Sequence, residues 1–137
     1  LRMEKHCENA AYIHDFLSSS EHVDSIYWPG RESHKNHLVA KKQMKNFGGM
    51  LSFNLKLNNF DAATRVISNT RLFKLAESLG GVESLISHPA SMTHASIPKE
   101  EREKNNLSDS LIRISVGIES HNDLIQDLKQ AFNNIKA

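Results

Sequence analysis

The chain has 137 residues, enough for one domain that buries roughly two-thirds of its unfolded surface. Its 17 Lys and Arg against 16 Asp and Glu leave a formal net charge of +1, so no strong field selects nucleic acid or a membrane surface as partner. A single cysteine, Cys7, excludes an internal disulfide and points to a reducing, cytoplasmic compartment. No apolar run reaches the roughly 18 residues that cross a membrane, and no signal-peptide pattern opens the chain. Leu1-Arg2 in place of a starting methionine fits a fragment of something longer.

Residues 1–19 read as a helix: Met3, Cys7, Ala10, Ile13 and Leu17 recur at helical spacing, while Arg2, Glu4, Lys5 and Asp15 fall off that stripe. Ser18, Ser19 and Ser20 end it. Val23 to Trp28 is a strand candidate stopped by the turn pair Pro29-Gly30. Residues 34–45 are polar and basic around Leu38, Val39, Ala40 and Met44, the pattern of a surface helix, and Gly48-Gly49 breaks the chain after it. In 50–57, Leu51, Phe53, Leu55 and Leu57 take one face of a strand and Ser52, Asn54 and Lys56 the other. Asn58-Asn59 with Asp61 marks a helix start, with Phe60, Ala63, Val66 and Ile67 as its buried stripe.

Phe73 and Leu75 suggest a further strand running into residues 77–94, a segment that is neither clean helix nor clean strand. Pro98 followed by Lys99, Glu100, Glu101 and Arg102 predicts a short helix with Pro at its first turn and acids near its N-terminus. Leu111 to Ile118 is the second clear strand, with Ile112, Ile114, Val116 and Ile118 on the core face and Arg113 and Ser115 on the other. Ser120 and Asp123 have capping-box spacing before Leu124, Ile125, Leu128, Ala131, Phe132 and Ile135, the stripe of a closing helix. The expectation is one α+β domain over 1–137, with three or four strands in a small antiparallel sheet and helices on one face.

Among residues that can carry chemistry, Arg113 is the most informative. Its guanidinium is a planar fork of donors suited to a carboxylate, although an arginine on an ordinary solvated strand face would look the same. Gly80-Gly81 after Ser78 permits a turn that presents backbone groups to a ligand, or a plain turn. Glu77 and Glu83 are candidate acid–base groups with no partner carboxylate fixed by spacing. His34 and His37 can share a helix face, but a metal needs a third ligand. His88 and His94 read as structural, and Cys7 reads as core packing.

Three ordered blocks add a resemblance. Glu77-Ser-Leu-Gly-Gly-Val-Glu-Ser-Leu85, Pro89-Ala-Ser-Met-Thr-His-Ala-Ser96 and Leu111-Ile-Arg-Ile-Ser-Val-Gly-Ile-Glu119 closely resemble the C-terminal domain of the pyridoxal-phosphate enzymes of cysteine and methionine metabolism. Within that family the blocks look like those of cystathionine γ-synthase and cystathionine γ-lyase. The resemblance extends through Arg2-Met-Glu-Lys-His-Cys-Glu-Asn-Ala10 and Phe47-Gly-Gly-Met-Leu-Ser-Phe53, so it covers essentially the whole chain. It departs in the Pro29–Lys35 loop, where Arg31 replaces the usual Leu and Lys35 the usual Pro; the loop is expected to be peripheral to the site.

The resemblance implies that Arg113 anchors the α-carboxylate of an amino-acid substrate, that Ser78 contacts the same group, and that Thr93 lies nearby. Glu77 hints at γ-carbon chemistry, since β-lyases tend to carry an aromatic residue there. It also implies what lies elsewhere. The Schiff-base lysine stands in a Ser-x-Thr-Lys context of a preceding large domain, and no Thr-Lys dipeptide occurs here. No catalytic residue is then expected in this chain, and pyridoxal phosphate would be bound mainly by the absent domain. The expected partners are an amino-acid substrate, the chain's own large domain and a homo-oligomer, a tetramer in the family. The parent would act on a homoserine-derived or cystathionine substrate. A free-standing, non-catalytic module that binds amino acids or a protein is the alternative.

Overall fold

The alternating residues of 51–55 and 111–115 form the centre of a five-stranded sheet in a computed structural model that describes residues 1–135. The elements run α1 (Arg2–Ser19), β1 (Val23–Tyr27), α2 (His37–Gln43), β2 (Met50–Leu55), α3 (Phe60–Asn69), β3 (Lys74–Leu75), β4 (Leu85–Ser87), α4 (Lys99–Lys104), β5 (Leu111–Ser115) and α5 (His121–Phe132). The sheet order is β1-β2-β5-β4-β3. Antiparallel register sets Leu51 opposite Ile114 and Phe53 opposite Ile112, so one sheet face is wholly apolar. Ile13 and Leu17 of α1, Val66 and Ile67 of α3, and Leu124, Leu128 and Phe132 of α5 cover it. Phe53, Ile112 and Ile114 are fully buried there, each worth about 1.5–3 kcal/mol relative to exposure.

The sheet is mixed rather than antiparallel: β3 pairs with β4 in parallel, Lys74 opposite Leu85 and Leu75 opposite Ile86. Residues 76–84 cause this, because they cross the sheet face that carries Arg113 and Ser115 and re-enter the sheet in the direction they left it. Strand β4 lies hidden in the irregular segment because Leu85, Ile86 and Ser87 are all buried, which erases the period-two alternation.

Four side chains depart from their expected stripes. In α1 the buried arc passes through His6 and Asn9, leaving Met3 exposed and Cys7 half-buried. His6 Nδ1 donates to the Val116 carbonyl at 2.6 Å, and Asn9 Nδ2 donates to the Gly117 and Glu119 carbonyls at 2.9 and 2.8 Å. The backbone leaving β5 needs donors, and these two polar residues supply them. Phe60 is exposed at the first turn of α3 and sets its ring edge against His88 at 5.3 Å. Ile118 is exposed because β5 ends at Ser115; its N–H turns away to the Val82 carbonyl at 2.9 Å.

The predicted Asn59 cap of α3 forms, its side chain accepting the Ala62 N–H at 2.8 Å. The expected Ser120 capping box does not form, since the hydroxyl of Ser120 makes no cap bond. Within the described residues no helix is long and apolar enough to cross a membrane.

Candidate functional site

The side of the sheet opposite α1, α3 and α5 carries polar side chains in register. Tyr27 pairs with Ser52, Ser52 with Arg113, and Arg113 with Ser87. Directly opposed residues share a sheet face, so these four make one row across β1, β2, β5 and β4. Arg113 stands at its centre, half-buried, as the alternation in β5 predicts. Its face is not simply solvated: Leu111 and Ser115, two residues either side of it, are buried.

The 77–80 loop accounts for the burial of Ser115. Arg113 Nη2 donates to the Glu77 carbonyl at 2.8 Å, with the Ser78 carbonyl at 3.4 Å, beyond the usual N–H···O range. Ser115 Oγ accepts the Gly80 N–H at 2.8 Å. Gly80 holds φ +74, a left-handed conformation that glycine takes without strain. Alternate residues of β5 thus tie the loop across the sheet. Nη2 faces the loop, while Nε and Nη1 have no hydrogen-bond partner among the described residues and are free to receive a planar anion.

Glu77 and Ser78 therefore meet Arg113 through their main-chain carbonyls, while their side chains are exposed. Thr93 is exposed and pairs its hydroxyl with His94 Nδ1 at 2.7 Å; it shares no hydrogen bond with Arg113 or the 77–80 loop.

His88 is fully buried at the foot of the 88–110 excursion. Nε2 faces the Asp109 carbonyl at 2.9 Å and must carry the proton, so Nδ1 accepts from Ser91 Oγ at 2.8 Å. Burial pushes its pKa below the ordinary imidazole value. Around it, Arg102 donates to the Ala90 carbonyl at 2.6 Å and to Asp109 at 3.3 Å, and Lys99 meets Asp109 at 2.7 Å. The hydrogen bond from Lys99 holds the Asp109 carboxyl below the usual carboxylate range. These contacts brace the excursion and are structural.

His37 Nδ1 donates to the Pro29 carbonyl at 2.8 Å, whereas His34 Nδ1 accepts the Asn36 N–H at 3.2 Å, so the two rings serve different backbone groups. Among the described residues no three His, Cys, Asp or Glu converge as a metal-binding group. Cys7 borders a shallow cavity with Trp28 and Phe47.

The Pro29–Lys35 loop borders a cavity of its own, which Arg113 does not line. Ser33, His34 and Lys35 roof a cavity of about 530 Å³ whose floor includes Tyr27 and Ser52, members of the same row as Arg113. The parity of Ser52 with Arg113 was the available signal; the fold of the loop above it was not legible.

An α+β domain with one sheet face packed by helices and the other organised around a loop-braced arginine is what these residues build. A family model described as "Cys/Met metabolism PLP-dependent enzyme" matches residues 1–133, and the chain belongs to that family. It is 55% identical over 130 residues to a cystathionine beta-lyase of Lactococcus lactis subsp. cremoris, covering 95% of this chain and 34% of the relative. It is 49% identical to the cystathionine gamma-lyase of Bacillus subtilis (strain 168), covering 98% of this chain and 35% of the relative. The crystal structure of cystathionine gamma-lyase from Lactobacillus plantarum complexed with L-serine superposes with a TM-score of 0.91 at 43% identity, covering 98% of this chain and 35% of that one. The chain thus spans about a third of the length of the relatives it matches.

Proposed function

We propose that this chain is the substrate-orienting C-terminal domain of a pyridoxal-phosphate-dependent transsulfuration enzyme, similar to cystathionine γ-synthase and γ-lyase. The enzyme would act at the γ-carbon of a homoserine-derived or cystathionine substrate. The observation that carries this reading is the Arg113 guanidinium, braced at Nη2 by the Glu77 carbonyl and unpartnered at Nε and Nη1. That arrangement suits a carboxylate better than a solvated strand face would, because one edge of the fork is already oriented. The L. plantarum relative, solved with an amino acid, supports the ligand class.

On this reading the cofactor is held mainly outside this chain, as the absence of a Thr-Lys dipeptide suggests. The resemblance sets the imine-forming lysine in a Ser-x-Thr-Lys context, which this sequence lacks. Pyridoxal phosphate, the electron sink of the chemistry, would therefore bind mainly to a large domain outside this chain. That domain and further copies of the enzyme are the proposed protein partners. Exposed Leu79, Val82 and Ile118 beside the 77–80 loop supply apolar surface for such contacts. The unpaired, half-buried Cys7 accords with work in the cytoplasm.

The test is steady-state kinetics on the complete enzyme with Arg113→Lys and Arg113→Ala. Lysine keeps the charge and loses the fork. Loss of one charge-assisted hydrogen bond lowers kcat/KM roughly ten- to a hundredfold, with cofactor affinity unchanged. Unaltered kcat/KM in both variants removes the anchor role. Lost cofactor with intact substrate affinity assigns Arg113 to the wrong ligand.

A further inference from the structure

We infer that the cavity beneath the Pro29–Lys35 loop is a second ligand site, distinct from the Arg113 fork, which receives a small oxyanion group, carboxylate or phosphate. The cavity measures about 530 Å³, the size range of sites for small molecules. Leu111 gives it an apolar floor. Its polar lining is made almost entirely of donors that the protein leaves unused. Tyr27 Oη accepts from Asn54 Nδ2 at 3.1 Å, so its own O–H is free to donate. His34 Nδ1 accepts the Asn36 N–H, so the neutral ring carries its proton on Nε2, which has no partner. Ser33, Ser52, Lys35 and Asn106 make no side-chain hydrogen bond among the described residues, and Lys35 has no ion pair.

No carboxylate lines the cavity; Glu32, the nearest acid in sequence, lies outside it. Asn106 contributes a further feature. It holds φ 59, and it is the one non-glycine residue with positive φ among those described. Asparagine tolerates that conformation better than most residues. Unspent donors of several kinds around one positive charge, with no acid to neutralise it, match an anion with several acceptor oxygens.

The site is separable from the one proposed for the α-carboxylate. Arg113 does not line the cavity; with neighbouring strands about 4.8 Å apart, Ser52 lies one strand and Tyr27 two strands, roughly 10 Å, from it.

The purified chain, labelled with ¹⁵N, is titrated separately with inorganic phosphate and with succinate. Saturable shifts of amides in 26–35, 52 and 106 are expected with one or both. A response to phosphate alone assigns a phosphate group, and a response to succinate alone assigns a carboxylate. Lys35→Gln weakens binding about tenfold, Tyr27→Phe weakens it less, and Arg113→Ala leaves it unchanged. Both substitutions at the cavity are conservative, and the dispersion of each unliganded spectrum reports its fold. Three results overturn the inference: no saturable shift with either anion, shifts centred on 77–80 that vanish with Arg113→Ala, or equal binding by wild type, Lys35→Gln and Tyr27→Phe.

Discussion

Ser115 Oγ receives the backbone N–H of Gly80 at 2.8 Å, from a loop that has no regular structure of its own. Two residues earlier on the same strand face, Arg113 donates to the Glu77 carbonyl at the same distance. One strand residue offers an acceptor and the other a donor. The loop answers with an N–H and a carbonyl, so its position follows from the alternation of β5.

This arrangement predicts two different kinds of damage. Ser115→Ala removes the acceptor of the exposed Gly80 N–H, a cost of about 0.5–1.5 kcal/mol borne mainly by the loop. Gly80→Ala adds no clash, since a Cβ there meets nothing within 4 Å. It does force a side chain into the left-handed region, at about 1–2 kcal/mol. Both variants are expected to raise amide exchange at 78–82 and leave exchange in β2 and β5 unchanged. Native exchange rates in the loop of either variant would disconnect that contact from loop position.

The buried His88 predicts a pH dependence. Burial lowers its pKa, so folding favours the neutral ring and the unfolded chain binds the proton more readily. Its contribution is fully present above the ordinary value of about 6.5 and is lost as pH falls through the depressed pKa. The groups that face it bear on the same equilibrium: the carbonyl and charge of Asp109 favour protonation, and Arg102 opposes it. Asp109, held low chiefly by Lys99, acts in a separate window, losing its contribution below the ordinary value of 3.8. Urea unfolding across pH should show stability falling below 6.5, before the carboxylates titrate, and His88→Asn should flatten that limb. Parallel profiles for the two proteins would remove His88 as its source.

A third prediction concerns chemistry. With no Thr-Lys dipeptide in the sequence, the purified chain mixed with pyridoxal phosphate and cystathionine is expected to release neither cysteine nor 2-oxobutyrate. Specific turnover would refute the division of labour proposed above.

Legibility in the sequence followed the physics of each element. Strands β2 and β5 are legible because each carries one unbroken apolar face, which sets Arg113 on the side away from the helices. Strand β4 is not, because burial on both faces leaves no alternation to detect. The arc of α1 differs by one position from the apolar spacing because His6 and Asn9 are polar yet buried, donating to carbonyls more than 100 residues away. No local pattern encodes such pairing. The contact of Glu77 with Arg113 runs through a main-chain carbonyl, which side-chain identity does not announce.

Asp127 supplies the last prediction. It lies buried in α5, and its carboxylate accepts three successive backbone N–H groups: Arg71 and Leu72 at 2.8 Å and Phe73 at 3.1 Å. Those residues join α3 to β3, the strand that leads into the 77–80 loop, so one side chain fixes the start of the segment that reaches Arg113. Hydrogen bonds to a charged group contribute about 1.5–3 kcal/mol each, though not additively. Asp127→Asn keeps the size but removes the charge and turns one acceptor into an NH₂ facing an N–H donor. The expected loss is about 3 kcal/mol of unfolding free energy, read in urea as a lower midpoint with an unchanged m-value. Amides of 71–73 should exchange faster in the variant even where the rest of the chain remains protected. A loss below about 1 kcal/mol, the size typical of an ordinary substitution, would show that the three contacts do not brace this connection.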